Sequence, residues 1–334
     1  FSIDIFLFDI RFRFETVEAS PSKFNNRFKI GKKLTKLEQS FDPDIVFTLF
    51  GPSYWKPKSI HVSGFADGWV YNPSSVAYKK LNFFSHFKRI FLNYYKIWRL
   101  KIESSHYILE TEEAKNSFSK ILKIPKLNID VVPNTFNSVF LNKLNQIDKY
   151  SKLFDSNFFN LLTISSYYPH KNLEIIPEVI SFIPKNNLIK FYVTLEEDVF
   201  SKIFKNKKDC IVNLGTVDIN ACPNLYSLSS AVFLPTLLET FSASYPEAMI
   251  MNKPILTSKL SFAKELCGDA ALYFDPFNPK SIAEMIIDLS KNKSLYINQI
   301  TKSQNRTKTF ISGKDRALRY LDIFEKIIKN NDKK

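Results

Sequence analysis

The stretch that decides the fold is VFLPTLLETFSASYPEAMIMNKPILTSKLSFAKELCGDAALYFDP, Val232 to Pro276. Ala231-Val232-Phe233-Leu234 is a short, wholly apolar run stopped by Pro235, which predicts a strand buried on both faces. Pro254-Ile255-Leu256 opens a second such strand. Ala271-Leu272-Tyr273-Phe274 is a third, closed by Asp275-Pro276. Short helices fill the spaces between. Buried strands alternating with helices predict parallel pairing, and ligands of such sheets sit at the carboxyl ends of the strands. Glu239 and Glu247 fall at such an end, eight positions apart.

Those two glutamates, with Phe241 between them, then Glu247-Ala248-Met249, Lys253-Pro254, Gly268-Asp269-Ala270-Ala271 and Phe274-Asp275-Pro276, resemble the E-x7-E region of retaining glycosyltransferases of the GT-B fold, sugar-enzyme family 4. Two glutamates at this spacing carry little; the ordered set over the whole stretch carries the resemblance. It implies an α/β architecture of two Rossmann-like parallel-sheet domains facing a cleft. The expected division is 1–150 for the acceptor domain, 151–310 for the nucleotide-sugar donor domain, and 311–334 for a last helix returning to the first domain. A chain of 334 residues, 45% hydrophobic and 24% charged, suffices for two cores.

The resemblance assigns roles residue by residue. Glu239 contacts sugar hydroxyls of the donor near the anomeric carbon. Phe241, Ser242 and Ala243 present backbone N–H groups to phosphate and sugar, in a loop where the family has glycine at the positions of Thr240 and Ser242. Glu247 accepts from the two ribose hydroxyls, since a carboxylate offers two oxygens and no donor to a vicinal diol. The competing reading is structural: Ser244-Tyr245-Pro246-Glu247 fits the S-x-x-E capping box. The strand Phe159–Ile164 is followed by Ser165-Ser166-Tyr167-Tyr168-Pro169-His170-Lys171. The family has Gly-Arg where Ser165-Ser166 stand and keeps the lysine, so Lys171 and Ser166 fall to the donor diphosphate. A lysine at a helix start opposes the macrodipole unless an anion joins it. Gly215, in the loop after Ile211–Leu214, falls where the family contacts the base. The implied chemistry is metal-independent, retaining transfer from a nucleotide-diphosphate sugar, with no cofactor and Lys171 and Glu239 at the reacting centre. The acceptor is a glycan or lipid-linked sugar of a surface polysaccharide such as capsule or O-antigen.

The first half reads less fully. A strand is expected at Ile3–Phe8, a helix at Phe24–Ser40, and strands at Ile45–Phe50, Ser59–Ser63, Ser105–Glu110 and Ile129–Val132. Thr111 is the expected N-cap of the helix after Glu110, and about Thr135 to Asn157 reads as a linker. Only seven glycines occur, none clustered near the start, which implies that the family's first strand–loop–helix unit is missing. Phe1 stands first rather than Met, the mark of processing or of a fragment. Asp42-Pro43-Asp44 has the form of a metal-binding D-x-D but precedes a strand instead of following one, so it reads as a turn. His61, inside a strand, is either a satisfied sheet histidine or a sugar contact. Asp67, between Gly64 and Gly68 in a loop able to approach a ligand, is the other candidate for sugar or acceptor.

Tyr78–Lys101 repeats apolar residues at helical spacing (Leu81, Phe84, Phe87, Phe91, Tyr94, Tyr95, Trp98) among seven Lys and Arg, with no acid. Such a helix packs its apolar face on the sheet, turns its basic face to an anionic membrane, or does both. The net charge of +14 points to acidic partners. Three cysteines without metal spacing indicate a reducing compartment. No run reaches the length of a membrane span, and no signal peptide is visible. A cytoplasmic enzyme, peripheral on the inner face of the plasma membrane and without nucleic acid, is the resulting expectation. Two rivals stand beside it: a GT-B nucleotide-sugar epimerase, poorly served by four histidines, and a non-catalytic basic binder of membrane or nucleic acid derived from a transferase.

Overall fold

The computed structural model describes residues 15–17, 19–142, 148–204 and 210–332. The strand expected at Ile3–Phe8 lies outside them. Two parallel sheets organise the chain. The first holds β1 (Ile45–Thr48), β2 (Ile60–Gly64), β3 (His106–Leu109) and β4 (Ile129–Val131) in sequential order. The second holds β5 (Phe159–Thr163), β6 (Ile189–Val193), β7 (Ile211–Asn213), β8 (Ala231–Leu234), β9 (Ile255–Ser258) and β10 (Leu272–Phe274), in the order β10-β9-β8-β5-β6-β7. The order reverses between β5 and β8, a topological switch point where α/β proteins bind ligands.

The first sheet carries α1 (Phe24–Phe41), α2 (Gly68–Tyr71), α3 (Phe83–Glu103) and α4 (Glu112–Leu122). A short α5 (Asp148–Ser151) leads to the second sheet, with α6 (Ile175–Ser181), α7 (Glu197–Ile203), α8 (Cys222–Leu228), α9 (Ser244–Ile250), α10 (Ser261–Cys267), α11 (Pro279–Lys291) and α12 (Lys293–Thr307). The last helix, α13 (Gly313–Asn331), begins at a capping box of Ser312 and Asp315.

Strand alternation sends neighbouring residues to opposite cores. Leu162, Tyr192, Val232 and Ile255 point one way, into a core with Tyr226, Tyr245 and Met249. Leu161, Phe191, Phe233 and Leu256 point the other, onto α6 and α11 through Ile176, Val179, Ile282 and Ile286. With both faces covered, mostly apolar strands are what the sheet requires. In the first sheet, Tyr107 and Leu109 pack on Phe118 and Leu122 of α4. Val62 and Ile108 face the other way and meet Ile327 of α13, whose Tyr320 and Phe324 also pack at a tilt against Phe47. α13 thus packs on the first sheet. The segment expected as a plain linker is anchored to the second sheet: Phe140 and Tyr150 are buried beside Tyr192 and Tyr226.

Asp42 ends α1 in the left-handed region, and Asp44 leads directly into β1, so this triplet is a turn. Thr111 caps α4, its hydroxyl accepting from the Ala114 N–H at 3.1 Å. The two glycines around Asp67 are required by close packing within the protein. A Cβ on Gly64 would lie 2.3 Å from the Leu49 carbonyl oxygen, and one on Gly68 would lie 3.1 Å from the Leu238 side chain. The helix expected over 78–101 divides into a 3-10 turn at Val76–Lys80 and α3. Its apolar face does not pack on the sheet. Phe84, Phe87, Phe91, Tyr94 and Trp98 are exposed, while Asn93, Leu100 and Glu103 form the buried side.

Candidate functional site

At the switch point, β5 and β8 release their chains into two loops that face each other. From β5 the chain passes Ser165 and reaches a 3-10 turn, Pro169–Lys171, just before α6; Asn172 takes the left-handed conformation that closes it. From β8 it passes Pro235 and Thr236 to Glu239. The two loops are tied by main chain, the Leu237 N–H donating to the His170 carbonyl at 2.7 Å. This brings Lys171 Nζ within 2.6 Å of Glu239 Oε1, and the Thr236 hydroxyl donates to the same oxygen at 2.9 Å. Lys171, Glu239 and Ser242, together with Ser165, Thr236 and Ser244, line one cavity of about 20 Å³. That volume is room for a single water.

Glu247 sits on α9, 8% exposed, and does not line that cavity. Its Oε2 accepts from the fully buried Tyr226 hydroxyl at 2.9 Å. Burial raises its pKa, and the Tyr226 hydrogen bond opposes that rise. The capping-box reading fails here: α9 begins at Ser244, its N-cap is Ala243, and no side chain caps it. Phe241 contributes its ring to the core of the second domain, edge-on to Phe310, which leaves its backbone as the part that faces the loop. The Ser242 and Ala243 carbonyls accept from the Tyr245 and Glu247 N–H groups and hold the first turn of α9. Ser166 is exposed beside the cavity mouth residue Ser165. Gly215 lies beyond β7 at the edge of the sheet, with φ of +70° and open space where a Cβ would stand.

Two candidates do not join this group. His61 is 3% exposed, and its ring nitrogens bond the Thr48 hydroxyl at 2.8 Å and the Glu103 carbonyl at 2.9 Å. It is a satisfied sheet histidine with no nitrogen left for a sugar. Asp67 caps α2 through the Trp69 N–H and pairs with Lys96 of α3, so both of its oxygens are engaged within the first domain. Among the described residues, no group of three or more His, Cys, Asp or Glu side chains is arranged to hold a metal ion.

Several residues of the site carried no signal in the sequence. Leu237 and Leu238, next to Glu239, are buried against Trp69 and Ala77 of the first domain. His170 stacks edge-on against Trp69 at 5.7 Å, and burial lowers its pKa to about 4, so it is neutral near pH 7. Thr240 donates to Glu110 at 3.2 Å, and Arg316 of α13 lies 3.6 Å from the same carboxylate. Glu265 of α10 accepts from the Glu112 and Glu113 N–H groups at the start of α4, a carboxylate set on a helix N-terminus across the domain boundary. The two domains therefore meet around the Glu239 loop.

With this geometry in hand, comparison with known proteins is specific. Residues 159–292 match the family model "Glycosyl transferases group 1". The O-antigen chain mannosyltransferase RfbU of Salmonella typhimurium is 28% identical over 183 residues, covering 53% of this chain and 48% of that protein. O-antigen chain mannosyltransferase B of Escherichia coli is 25% identical over 141 residues, 40% of this chain and 37% of its own. The matches thus span about half, or less, of these relatives. In fold, the chain superposes on Anabaena HepE in complex with UDP and glucose with a TM-score of 0.71, at 14% identity, covering 91% of this chain and 83% of that one. The second sheet thus carries the residues that match the group 1 glycosyltransferase model, and the chain built around them has the GT-B fold.

Proposed function

We propose that the protein is a glycosyltransferase that moves a sugar from a nucleotide-diphosphate donor to a glycan or lipid-linked acceptor during assembly of a surface polysaccharide. The observation that carries this reading is the Lys171–Glu239 pair at the carboxyl ends of β5 and β8, inside the group 1 domain. Both partners of a donor sugar are provided for at one place. The ammonium of Lys171 offers the charge that a leaving diphosphate needs as the sugar–phosphate bond breaks. The carboxylate of Glu239, held by Thr236, offers acceptors to sugar hydroxyls beside it. Positive charge supplied by a lysine fits metal-independent transfer. Retention at the anomeric carbon follows from the resemblance of the E-x7-E region. Glu247 is prepared for the ribose: Tyr226 holds one oxygen, and the other is left to a diol. The similarity to two O-antigen mannosyltransferases supports a polysaccharide acceptor.

The test is a transfer and hydrolysis assay against UDP-, GDP- and ADP-sugars, with wild type beside Lys171→Ala and Glu239→Ala. Each variant is expected to lose about 10² in rate, the usual effect of removing one charged transition-state contact. Product NMR reads the anomeric configuration. A wild-type protein that neither binds nor turns over any nucleotide sugar would refute the reading.

A further inference from the structure

We propose that α3, together with the adjoining face of α1, is a docking surface for an anionic lipid bilayer. Phe83, Phe84, Phe87, Phe91, Tyr94 and Trp98 are between 52% and 84% exposed. At about 100° per residue they fall on one sector roughly 100° wide, so the exposure is a continuous aromatic stripe. Soluble chains rarely leave such a stripe to water unless something covers it. α1 lies alongside: Arg27 donates to the Tyr95 hydroxyl and sits 4.9 Å from the Tyr54 ring. It adds Phe28, 74% exposed, with Lys32 over its ring at 4.5 Å.

Charge selects the occupant. Residues 24–37 and 79–102 hold twelve Lys and Arg and no Asp or Glu. A second copy of the chain would bring like charge against like, which disfavours self-association through this face. An anionic leaflet complements it, with lysines such as Lys88 and Lys101 at the headgroups and the phenylalanines below them. No helix among the described residues is long and apolar enough to cross a membrane, so this one lies in the surface plane. The stripe is also joined to the donor loop by consecutive ring contacts. Phe87 meets His86, His86 meets Tyr78 at 4.9 Å, Tyr78 meets Trp69 at 5.0 Å, and Trp69 meets His170, the neighbour of Lys171. The start of α3 is therefore in ring contact, through Tyr78 and Trp69, with the loop that carries Lys171. The docking itself does not depend on the transfer reading.

The experiment is co-sedimentation of the full chain with vesicles of phosphatidylcholine alone or mixed equally with phosphatidylglycerol. Binding to the anionic vesicles is expected to be at least about tenfold stronger and to weaken with salt. Trp98 fluorescence should be quenched by lipids brominated in the acyl chain, and Trp98→Phe should remove that quenching. Combined Phe84→Ser, Phe87→Ser and Phe91→Ser should cut vesicle binding about tenfold, leaving the melting temperature and UDP or GDP binding as in wild type, because all three side chains are exposed. Equal or absent sedimentation with both vesicle types would overturn the proposal. So would a triple variant that sediments like wild type, a dimer that the triple variant dissociates, or single-stranded DNA binding that displaces the vesicles. Failed docking with intact nucleotide binding sinks this inference alone; failed nucleotide binding with intact docking sinks the transfer reading alone.

Discussion

Replacing Glu239 by Gln should make the protein bind a free nucleoside diphosphate more tightly while it transfers sugar more slowly. Lys171 Nζ is 2.6 Å from Glu239 Oε1, and the cavity beside them has room for one water. A diphosphate that recruits Lys171 must therefore displace this carboxylate or lie next to it. Two unit charges 4 Å apart interact by about 4 kcal/mol at the effective dielectric of a protein surface. The Lys171 side chain is 20% exposed and that of Glu239 is 12% exposed, so water screens part of this and about 1–2 kcal/mol remains. Glutamine keeps the shape and an acceptor for Thr236, and removes only the charge. Kd for UDP or GDP should fall about tenfold, since a decade corresponds to about 1.4 kcal/mol. The gain should shrink as salt rises. Transfer should drop by about 10², because the contact to the reacting sugar is weakened. Stability should fall by about 1–2 kcal/mol, less than the 3–5 kcal/mol typical of breaking a fully buried pair. Titration calorimetry with each diphosphate and a thermal melt measure both sides. A Kd that is unchanged within about twofold, or that rises, would show that Lys171 does not meet the phosphates.

Other residues give separable outcomes. Tyr226→Phe removes the hydroxyl that bonds the buried Glu247 carboxylate; a hydrogen bond to a charged group contributes about 1.5–3 kcal/mol, so a melting temperature several degrees lower and a donor KM about tenfold higher are expected, and an unchanged KM would detach Glu247 from the donor. His170 has its pKa lowered by burial to about 4 from an unfolded value near 6.5, so the unfolded chain binds the extra proton between them and stability is lost as pH falls through that window. In urea titrations from pH 7 to pH 5, His170→Gln should flatten this slope, and a slope identical to wild type would remove the histidine from the account. Glu265→Ala strips the carboxylate from the N-terminus of α4 and should cost about 1 kcal/mol in denaturant unfolding; a loss near zero would mean that the domain contact carries no weight there.

What could be read from the sequence follows from what parallel sheets demand. Strands covered on both faces are mostly apolar, so most of the second sheet stood out by composition, while Lys171, Glu239 and Ser242, which line one cavity, were named by the resemblance of the loops that follow. What could not be read depends on pairs distant in the chain. Tyr226 is one of fifteen tyrosines, and nothing local ties it to Glu247. The S-x-x-E spelling gave Glu247 a local task that the structure withholds, because α9 starts one residue earlier than a capping box needs. His61 reads as a ligand or a core residue until Thr48 and the Glu103 carbonyl are seen to occupy its ring.

The α3 helix shows the same limit in its sharpest form. Periodicity locates an apolar stripe but carries no sign for inside or outside, since a stripe that meets a sheet and one that meets a bilayer have the same 3.6-residue repeat. The composition of the opposite side is what breaks the tie. Asn93 donates to the Trp69 carbonyl at 2.7 Å and to the Tyr78 hydroxyl at 3.0 Å, and Glu103 pairs with Arg99 and accepts from the Ser53 hydroxyl at 3.0 Å and the Tyr54 N–H at 3.1 Å. A polar side chain is buried only where its partners wait for it. Asn93, with Leu100 and Glu103, therefore marks the inward side, and the aromatic stripe is left facing out because the inward side is already filled by Leu100 and by the hydrogen bonds of Asn93 and Glu103.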